Sequence, residues 1–188
     1  MHEPDQDATD VTRVLAGDIN AFEGIVRRWQ QRLVTLAWRF CRNRALAEDM
    51  AQEAFFKAFR SLAAFRGEAA FSTWLTAVAL NHYRSRLRAE GPPLLSLDPA
   101  RTFSMEGDAL RAIIRSENAD VVRKAVLTLP LQYRDAIVVF YFREKSISEA
   151  ASVLGIAEGT LKARLHRGRE MLRSKFANLT VPKSHKEG

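Results

Sequence analysis

Residues 146–173, SISEAASVLGIAEGTLKARLHRGREMLR, contain the signals of two short helices joined by a tight turn. Ser146 followed three residues later by Glu149 has the pattern of a capping box, in which each side chain bonds the backbone N–H of the other residue. Gly155 lies where the first helix must end, because glycine readily adopts the left-handed conformation found there. The apolar residues that would hold the two helices together are Ile147, Ala150, Ala151, Leu154, Ile156, Leu161 and Leu165. The segment therefore predicts a helix-turn-helix.

The second of these helices has a basic outer face. At about 100° per residue, its inward positions are Leu161, Leu165, Gly168 and Leu172. Its outward positions are Lys162, Ala163, His166, Arg167, Glu170 and Arg173. A helix that enters the DNA major groove needs long hydrogen-bond donors and small residues that permit close approach. The residues that supply both are Lys162, Ala163, Arg164 and Arg167. We predict DNA binding through this face; the alternative is a solvated basic face on a helical hairpin.

Charge is unevenly placed along the 188-residue chain. The formal net charge is +7 and the sequence pI is about 10.0, yet the first ten residues hold Glu3, Asp5, Asp7 and Asp10 and no Lys or Arg. Basic clusters favour a polyanionic partner, either nucleic acid or an anionic membrane. No apolar run approaches the ~20 residues of a membrane-spanning helix. Nucleic acid is therefore the favoured partner.

The cysteine content and the N-terminus indicate the compartment. Cys41 is the only cysteine, which excludes an internal disulfide and any multi-cysteine metal site. The N-terminus is acidic and lacks the apolar segment of an export signal. His166 has no second metal ligand on its helix face. We expect a cytoplasmic protein that binds no metal or other cofactor.

Helical periodicity covers most of the sequence, and no segment alternates polar and apolar residues between hairpin turns. We therefore predict an all-α fold of two small helical domains joined by a flexible linker, which begins at the helix-breaking Gly91-Pro92-Pro93. The apolar stretch 136–142 is assigned to a helix because no neighbouring segment could pair with it as a strand. The predicted organisation is an acidic tail at 1–15, a first domain at 16–90, the linker at 91–118, a second domain at 119–176 and a polar tail at 177–188.

Residues 47–62, AEDMAQEAFFKAFRSL, predict a helix with an unusual exposed face. The positions that would be buried are Ala51, Ala54, Phe55, Ala58 and Leu62. The opposite face carries Asp49, Gln52, Glu53, Phe56 and Arg60. An exposed aromatic ring inside a polar rim is typical of a protein-protein hot spot; alternatively, Phe56 packs under a neighbouring helix or the linker. Asp49 and Glu53 could form an acid-base pair, but they lie on a convex surface without a nucleophile, so we expect no catalytic activity.

Residues 71–88, FSTWLTAVALNHYRSRLR, predict a further helix with two contrasting sides. The side that can be buried contains Phe71, Leu75, Val78 and Ala79. A separate stripe contains Trp74, Ala77, Asn81, Arg84 and Arg88. An aromatic ring, an amide and a row of guanidinium groups along one helix indicate a contact surface.

These three segments, in this order, strongly resemble a bacterial RNA polymerase sigma factor of the extracytoplasmic function (ECF) type, and the resemblance covers residues 18–173. Residues 47–62 are similar to the helix that docks on the clamp helices of the polymerase β′ subunit. Residues 65–88 are similar to the segment that reads and melts the −10 promoter element. Residues 129–173 are similar to the helix-turn-helix domain that reads the −35 element. The resemblance implies a sigma domain 2 helical bundle at 16–90 and sigma domain 4 at 119–176.

The resemblance also implies three sets of site residues. The set for core-polymerase binding is Asp49, Gln52, Glu53, Phe56 and Arg60. The set for the −10 element is Phe71, Trp74, Asn81, Arg84 and Arg88. The set for the −35 element is Thr160, Lys162, Ala163, Arg164 and Arg167. Asn81 matches the residue near a flipped −10 base, with loop 65–72 as its pocket, and Trp74 is either a core residue or a stacking wedge. Ser85 stands where many relatives carry Asp, and Ala163 where they often carry a small polar residue.

As a function, the resemblance implies a transcription initiation factor without catalytic activity that directs core RNA polymerase to promoters and assists DNA melting, for a stress or envelope-signal regulon. The implied partners are core polymerase, through its β′ and β subunits, promoter DNA and an anti-sigma factor, which could hold the cytoplasmic protein at the inner membrane. Free of partners, it would be a monomer. The alternative is a stand-alone helix-turn-helix regulator with a helical dimerisation or sensor domain, which would bind a pseudo-palindromic site without polymerase.

Overall fold

The computed structural model describes residues 4–90, 119–142 and 146–180, and every regular element within them is helical. The first helical unit contains α1 (Pro4–Leu15), α2 (Ala21–Cys41), α3 (Arg44–Ser61), a 3₁₀ helix (Leu62–Ala64) and α4 (Phe71–Glu90). The second contains α5 (Ala119–Leu127), α6 (Leu131–Ile137), a π-helix (Val138–Phe142), α7 (Ile147–Leu154) and α8 (Glu158–Thr180). The predicted all-α fold is confirmed. The predicted linker at 91–118 and residues 181–188 of the predicted tail lie outside the described residues.

The core of the first unit forms where α2, α3 and α4 pack on one another. Its large side chains with almost no exposed surface are Leu33, Leu36, Phe40, Met50, Leu75, Leu80 and Tyr83. Burying each aliphatic or aromatic side chain contributes about 1.5–3 kcal/mol. The Tyr83 hydroxyl donates a hydrogen bond of 3.1 Å to the backbone oxygen of Leu33, so its polar atom is satisfied inside the core. This contact ties α4 to the middle of α2.

A two-residue turn, Arg42 and Asn43, joins α2 to α3. Arg42 has φ +54°, in the left-handed region that costs a non-glycine residue about 1–2 kcal/mol. Two contacts offset this cost: the Arg42 N–H donates to the Trp38 oxygen at 2.8 Å, and its guanidinium carbon lies 3.7 Å from the Trp38 ring centroid. The Asn43 side chain then caps α3 by accepting from the Leu46 N–H at 3.0 Å. The turn therefore fixes how the chain enters α3.

The N-terminal segment is not the acidic tail that we expected from the sequence. Residues 4–15 form α1, which packs on α2 and buries the side chains of Asp7 and Asp10. Arg28 donates to Asp7 Oδ1 at 2.9 Å and to Asp10 Oδ2 at 2.6 Å, and Trp29 Nε1 donates to Asp7 Oδ2 at 3.1 Å. The expectation was wrong because it treated the acidic cluster as solvated, whereas a guanidinium and an indole on α2 bind two of its carboxylates.

The ion-pair cluster between α1 and α2 is charged and closely packed. Burial lowers the pKa of Arg28, but the hydrogen bonds and charges of Asp10 and Asp7 outweigh burial, so the pKa is raised overall. Gly24 permits the close approach, because a Cβ atom there would lie 2.7 Å from Asp10 Oδ2. A glycine inside α2, unfavourable for a helix by about 1 kcal/mol, is thus explained by packing.

In the second unit, α5, α6 and α8 pack on one another. The predicted inward positions of α8 are confirmed, since the side chains of Leu161, Leu165 and Leu172 and the backbone of Gly168 are buried. At Gly168 the helices approach closely: a Cβ atom would lie 3.2 Å from Ile137 Cγ1 on α6. This glycine therefore sets the distance between α8 and α6.

The predicted capping box and helix stop around α7 are confirmed. The Ser146 N–H donates to Glu149 Oε2 at 2.9 Å, and the Glu149 N–H donates to Ser146 Oγ at 3.2 Å. Gly155, directly after α7, has φ +63°. The chain can therefore turn sharply at this glycine and begin α8 at Glu158.

The apolar stretch 136–142 is helical as expected, but only its first two residues belong to α6. From Val138 to Phe142 the helix widens to a π-helix, a form often found at functional sites. The Tyr141 side chain is buried, and its hydroxyl accepts a hydrogen bond of 2.9 Å from Arg169 Nη1 on α8. This hydrogen bond links the π-helix to α8 at the residue next to Gly168.

Candidate functional site

The outer face of α8 is available to a partner. The exposed residues near its start are Thr160, Lys162, Ala163, His166 and Arg167, and Arg164 is half-buried. The apolar side of the same helix lies in the core of the second unit. The structure therefore brings the five predicted −35 residues to the first three turns of one helix, at the end where backbone N–H groups favour phosphate.

Further along α8, two arginines have intramolecular partners. Arg173 pairs with Glu170 one turn earlier, and Arg169 donates to the Tyr141 hydroxyl at 2.9 Å. The positive charge of Arg173 is thus compensated by Glu170. The partner of Arg169 is a neutral hydroxyl, which fixes its position without compensating its charge. Sequence reasoning assigned Arg173 only to the outer face and missed the hydrogen bond of Arg169, because that bond joins side chains of two separate helices.

On α4 the predicted contact stripe faces outward. Asn81 and Arg88 are exposed, while Trp74, Ala77 and Arg84 are half-buried. Arg84 Nη1 donates to Asn81 Oδ1 at 3.1 Å, which orients the Asn81 amide. The structure therefore assembles an amide and two guanidinium groups on one side of α4, with the Tyr83 ring on the buried side.

Three aromatic rings cluster where loop 65–70 meets the start of α4. The Phe65 ring centroid lies 5.6 Å from Phe71 and 5.3 Å from Trp74, and the last two are 5.6 Å apart. Phe71 is only 7% exposed, so the ring of this predicted −10 residue packs inside the cluster and has little surface left for contact with DNA. Trp74 is half-buried: its ring packs against Phe65 and Phe71, and part of the residue stays exposed. The loop itself, with Gly67 at φ +74°, is exposed.

The outer face of α3 presents one large apolar group. Phe56 is 61% exposed, so no described residue covers it. The Arg60 guanidinium carbon lies 5.5 Å from its ring centroid, and the polar residues around it, Asp49 and Gln52, are exposed. This is the arrangement of an apolar anchor within a polar rim.

Glu53 differs from the other residues predicted on this face. Its carboxylate turns toward α4, where Oε2 lies 3.0 Å from His82 Nε2 and Oε1 accepts from Arg86 Nη1 at 2.9 Å. Burial lowers the pKa of His82, and Lys57 lowers it further, against the smaller opposing effect of Glu53. The imidazole is therefore neutral at pH 7. Sequence reasoning missed this cluster because no sequence signal shows which residues of two separate helices will meet.

Two negative observations apply to the described ranges 4–90, 119–142 and 146–180. None of their His, Cys, Asp and Glu side chains form a group of three or more that could hold a metal ion. No helix in these ranges is both long and apolar enough to cross a membrane.

Sequence models of known domains match both units. Sigma-70 region 2 matches residues 25–92, and Sigma-70 region 4 matches residues 119–172. The first match contains most of α2 and all of α3 and α4, and the second contains α5, α6, α7 and most of α8. A region 2 followed by a region 4 defines the class as sigma factors.

Relatives that align along almost the whole chain narrow this class. RNA polymerase sigma-H factor of Pseudomonas aeruginosa is 36% identical over 92% of this chain and 94% of its own length. ECF RNA polymerase sigma factor SigW of Bacillus subtilis is 34% identical, with 90% of this chain and 96% of SigW covered. ECF RNA polymerase sigma-E factor of Escherichia coli is also 34% identical, with 95% and 98% covered. The chain belongs to the ECF family of RNA polymerase sigma factors, and it is a transcription initiation factor.

Solved structures agree in fold. CnrH, solved in complex with the cytosolic domain of CnrY, has a TM-score of 0.65 at 24% identity, covering 95% of this chain and all of CnrH. The sigma factor RpoE of Bartonella quintana, solved with the anti-sigma factor NepR, has a TM-score of 0.60 at 23% identity, covering 85% of this chain and 98% of RpoE. The helical architecture described above is therefore that of known sigma factors.

Proposed function

We propose that this sigma factor docks on core RNA polymerase through α3, reads the −35 element with α8, and reads and melts the −10 element with α4. The observation that carries the proposal is that these helices present polar, aromatic or basic faces outward while their apolar sides form the cores. The chain has no catalytic role in this proposal; the polymerase performs the chemistry.

For docking, Phe56 is the anchor on α3. Removing this ring from water would contribute about 1.5–3 kcal/mol, and Arg60 beside it restricts its orientation. Asp49 and Gln52, together with Arg60, supply a polar rim around this ring. An apolar ring within such a rim suits a protein partner, and we propose that this partner is the polymerase clamp.

For the −10 element, the exposed side of α4 would hold separated DNA strands. Asn81 carries an amide that can donate to and accept from a base edge, and Arg84 and Arg88 can contact the backbone. The half-exposed Trp74 ring offers a stacking surface at the base of loop 65–70. Phe71 contributes by supporting this ring.

For the −35 element, α8 would enter the major groove with its N-terminal turns. Lys162 and Arg167 supply exposed long-chain donors, Ala163 permits close approach, and Thr160 and Arg164 lie beside them. Contacts to phosphate would give affinity and a few contacts to bases would give specificity. Ala163 has no polar atom on its side chain and would offer at most apolar contact to a base.

Control by an anti-sigma factor is part of the proposal. RpoE of Bartonella quintana was solved with an anti-sigma factor, and CnrH with the cytosolic domain of CnrY. We propose that a comparable partner holds this protein inactive in the cytoplasm, or at the inner membrane if that partner is membrane-anchored, until a stress or envelope signal releases it. Free of partners, the protein would be a monomer.

Size-exclusion chromatography with sigma-free bacterial core polymerase tests the docking step. The wild type should co-elute with the core enzyme, and Phe56→Ala should lose co-elution while its helix content, measured by circular dichroism, stays unchanged. Ile19→Ala is the matched control, because Ile19 is 64% exposed and lies outside the proposed face. Retained co-elution of Phe56→Ala would refute the assignment of the docking face.

A further inference from the structure

A single carboxylate joins the docking helix to the −10 helix. Glu53 on α3 contacts two residues of α4, with 3.0 Å between Oε2 and His82 Nε2 and 2.9 Å between Oε1 and Arg86 Nη1. Both oxygens of the carboxylate are therefore engaged between the helices. The sequence analysis predicts no contact between Glu53 and α4.

The contact with His82 makes the cluster more than a surface ion pair. The side chains of Glu53 and Arg86 are 45% and 37% exposed, and such a pair alone contributes only about 0–1 kcal/mol. The His82 side chain, however, is only 5% exposed, and burial keeps its ring neutral at pH 7 by lowering the pKa. Neither ring nitrogen of His82 meets the angular requirement of a hydrogen bond, so the contact with Glu53 is a close polar approach of 3.0 Å at a buried ring. The charge of Glu53 is then balanced by Arg86.

The position of this cluster on α4 matters for the proposed DNA contacts. His82 and Arg86 are four residues apart and lie on the flank of the helix nearest α3, whereas Asn81, Arg84 and Arg88 lie on the outward side. A rotation of α4 by about 20° would displace side-chain atoms at the helix surface by about 2 Å. A shift of that size is enough to lose a directional hydrogen bond to a base.

We propose that Glu53 is a positioning residue, which holds α4 in a fixed rotation on α3 through His82 and Arg86, and that its main role is in −10 recognition rather than in direct contact with polymerase. This inference rests on the proposed function of α3 and α4. It changes one assignment within the docking face, which then consists of Asp49, Gln52, Phe56 and Arg60.

The test separates polymerase affinity from promoter melting. Glu53→Gln keeps the shape of the side chain but removes its charge, and Arg86→Met keeps the alkyl chain but removes the guanidinium. Glu48→Gln is the matched control, since Glu48 is a carboxylate on the same helix that pairs with Arg44 one turn away. Affinity for core polymerase is measured by titration, and the ratio of open to closed complex is measured by 2-aminopurine fluorescence in the −10 element of a promoter that the wild-type holoenzyme transcribes, at saturating core enzyme.

The expected result is a split between the two measurements. Glu53→Gln and Arg86→Met should each lower the open-to-closed ratio roughly five- to tenfold, with core affinity changed less than about twofold. The double variant should lose no more than the larger single effect, because both substitutions remove the same interaction. Glu48→Gln should behave as the wild type. Thermal unfolding of each variant shows whether the protein still folds. Arg86→Met should fold, because the residue that it changes is partly exposed.

Two results would overturn the proposal. In the first, Glu53→Gln weakens core affinity as much as Phe56→Ala does while Arg86→Met leaves melting unchanged, which makes Glu53 a direct polymerase contact. In the second, the effects of Glu53→Gln and Arg86→Met on melting are additive or absent. Failure of the docking assignment itself is a separate result, because it appears in the core affinity of Phe56→Ala and not in the open-to-closed ratio.

Discussion

At the scale of single residues, the arginines of α8 differ in how their charge is used. Arg173 pairs with Glu170, and Arg169 donates to Tyr141, whereas Arg167 is exposed on the proposed DNA face. Two basic residues on one helix can therefore have different effects on DNA binding although the sequence presents them alike.

Arg167→Ala should weaken binding of the holoenzyme to −35 DNA. If Arg167 contacts phosphate, the loss should be similar on all sequences and the slope of log affinity against log salt should fall by about one. If it contacts a base, the loss should be about 1–3 kcal/mol and confined to one position of the element. Fluorescence anisotropy at several salt concentrations measures both quantities. Arg173→Ala is the control, and an equal loss in both variants would contradict the assigned orientation of α8.

His82 predicts a pH dependence of stability in the first unit. Its pKa in the folded state is lowered from the ordinary 6.5, so the unfolded state binds the proton more readily. The stabilisation is therefore fully present above about pH 6.5 and is lost as the pH falls through the lowered pKa. The charged groups facing the ring are Glu53, Lys57 and Arg86.

Chemical denaturation between about pH 7.5 and 5.5 tests this dependence. The unfolding free energy of the wild type should fall more steeply toward acid than that of His82→Gln, which cannot be protonated there. Tryptophan fluorescence reports the first unit alone, because all three tryptophans, Trp29, Trp38 and Trp74, lie in it. Parallel pH profiles for the two proteins would show that the folded-state pKa of His82 is not lowered.

At the scale of helices, α1 is held to α2 by buried charge. Asp7→Asn keeps the size of the side chain but leaves Arg28 and the Trp29 indole with a weaker acceptor. We expect the first unit to lose about 1–3 kcal/mol of unfolding free energy, because hydrogen bonds to a buried charged group are weakened while Arg28 keeps its pair with Asp10. Glu23→Gln, in an exposed pair with Arg27, should change stability by less than about 1 kcal/mol. Denaturation followed by tryptophan fluorescence makes the comparison; equal effects would mean that the buried contacts of Asp7 contribute no more to stability than an exposed ion pair.

Two glycines of α8 should respond oppositely to alanine. Nothing lies within 4 Å of a Cβ atom at Gly159, whereas one at Gly168 would lie 3.2 Å from Ile137 Cγ1. Gly159→Ala should therefore stabilise α8 by part of the ~1 kcal/mol difference in helix propensity. In Gly168→Ala, overpacking against α6 should outweigh this stabilisation. Hydrogen exchange of α8, followed by mass spectrometry, measures the change. A similar gain at both positions would show that α6 yields easily to the added methyl group.

Local rules predicted the elements better than they predicted the contacts between elements. The capping box at Ser146, the stop at Gly155 and the buried side of α8 follow from spacing within one helix or turn, so the sequence sufficed for them. The binding of Arg28 to the acidic residues of α1, and of Glu53 to α4, depends on how separate helices pack. The same limit applies to Val138–Phe142, where periodicity predicted a helix but not its widening.

At the scale of the whole molecule, acidic and basic side chains have different proposed partners. A net charge of +7 favours association with DNA and makes it sensitive to salt. The proposed docking helix α3 nevertheless presents Asp49 and Phe56, and Arg28 of α2 binds the carboxylates of Asp7 and Asp10 on α1. In the proposal, Asp49 contacts a protein partner, while exposed basic groups on α4 and α8 contact DNA.

The central claim is that this chain gives core polymerase the ability to select and open promoters through two DNA elements. The most direct measurement is in vitro transcription from a library of DNA fragments with sigma-free core polymerase, with and without the protein, followed by sequencing of the transcript starts. We predict protein-dependent starts that share one element near −35 and one near −10, and an altered −10 preference with Asn81→Ala. Co-elution with the core enzyme but no protein-dependent start in the library, or starts without shared upstream elements, would contradict the account.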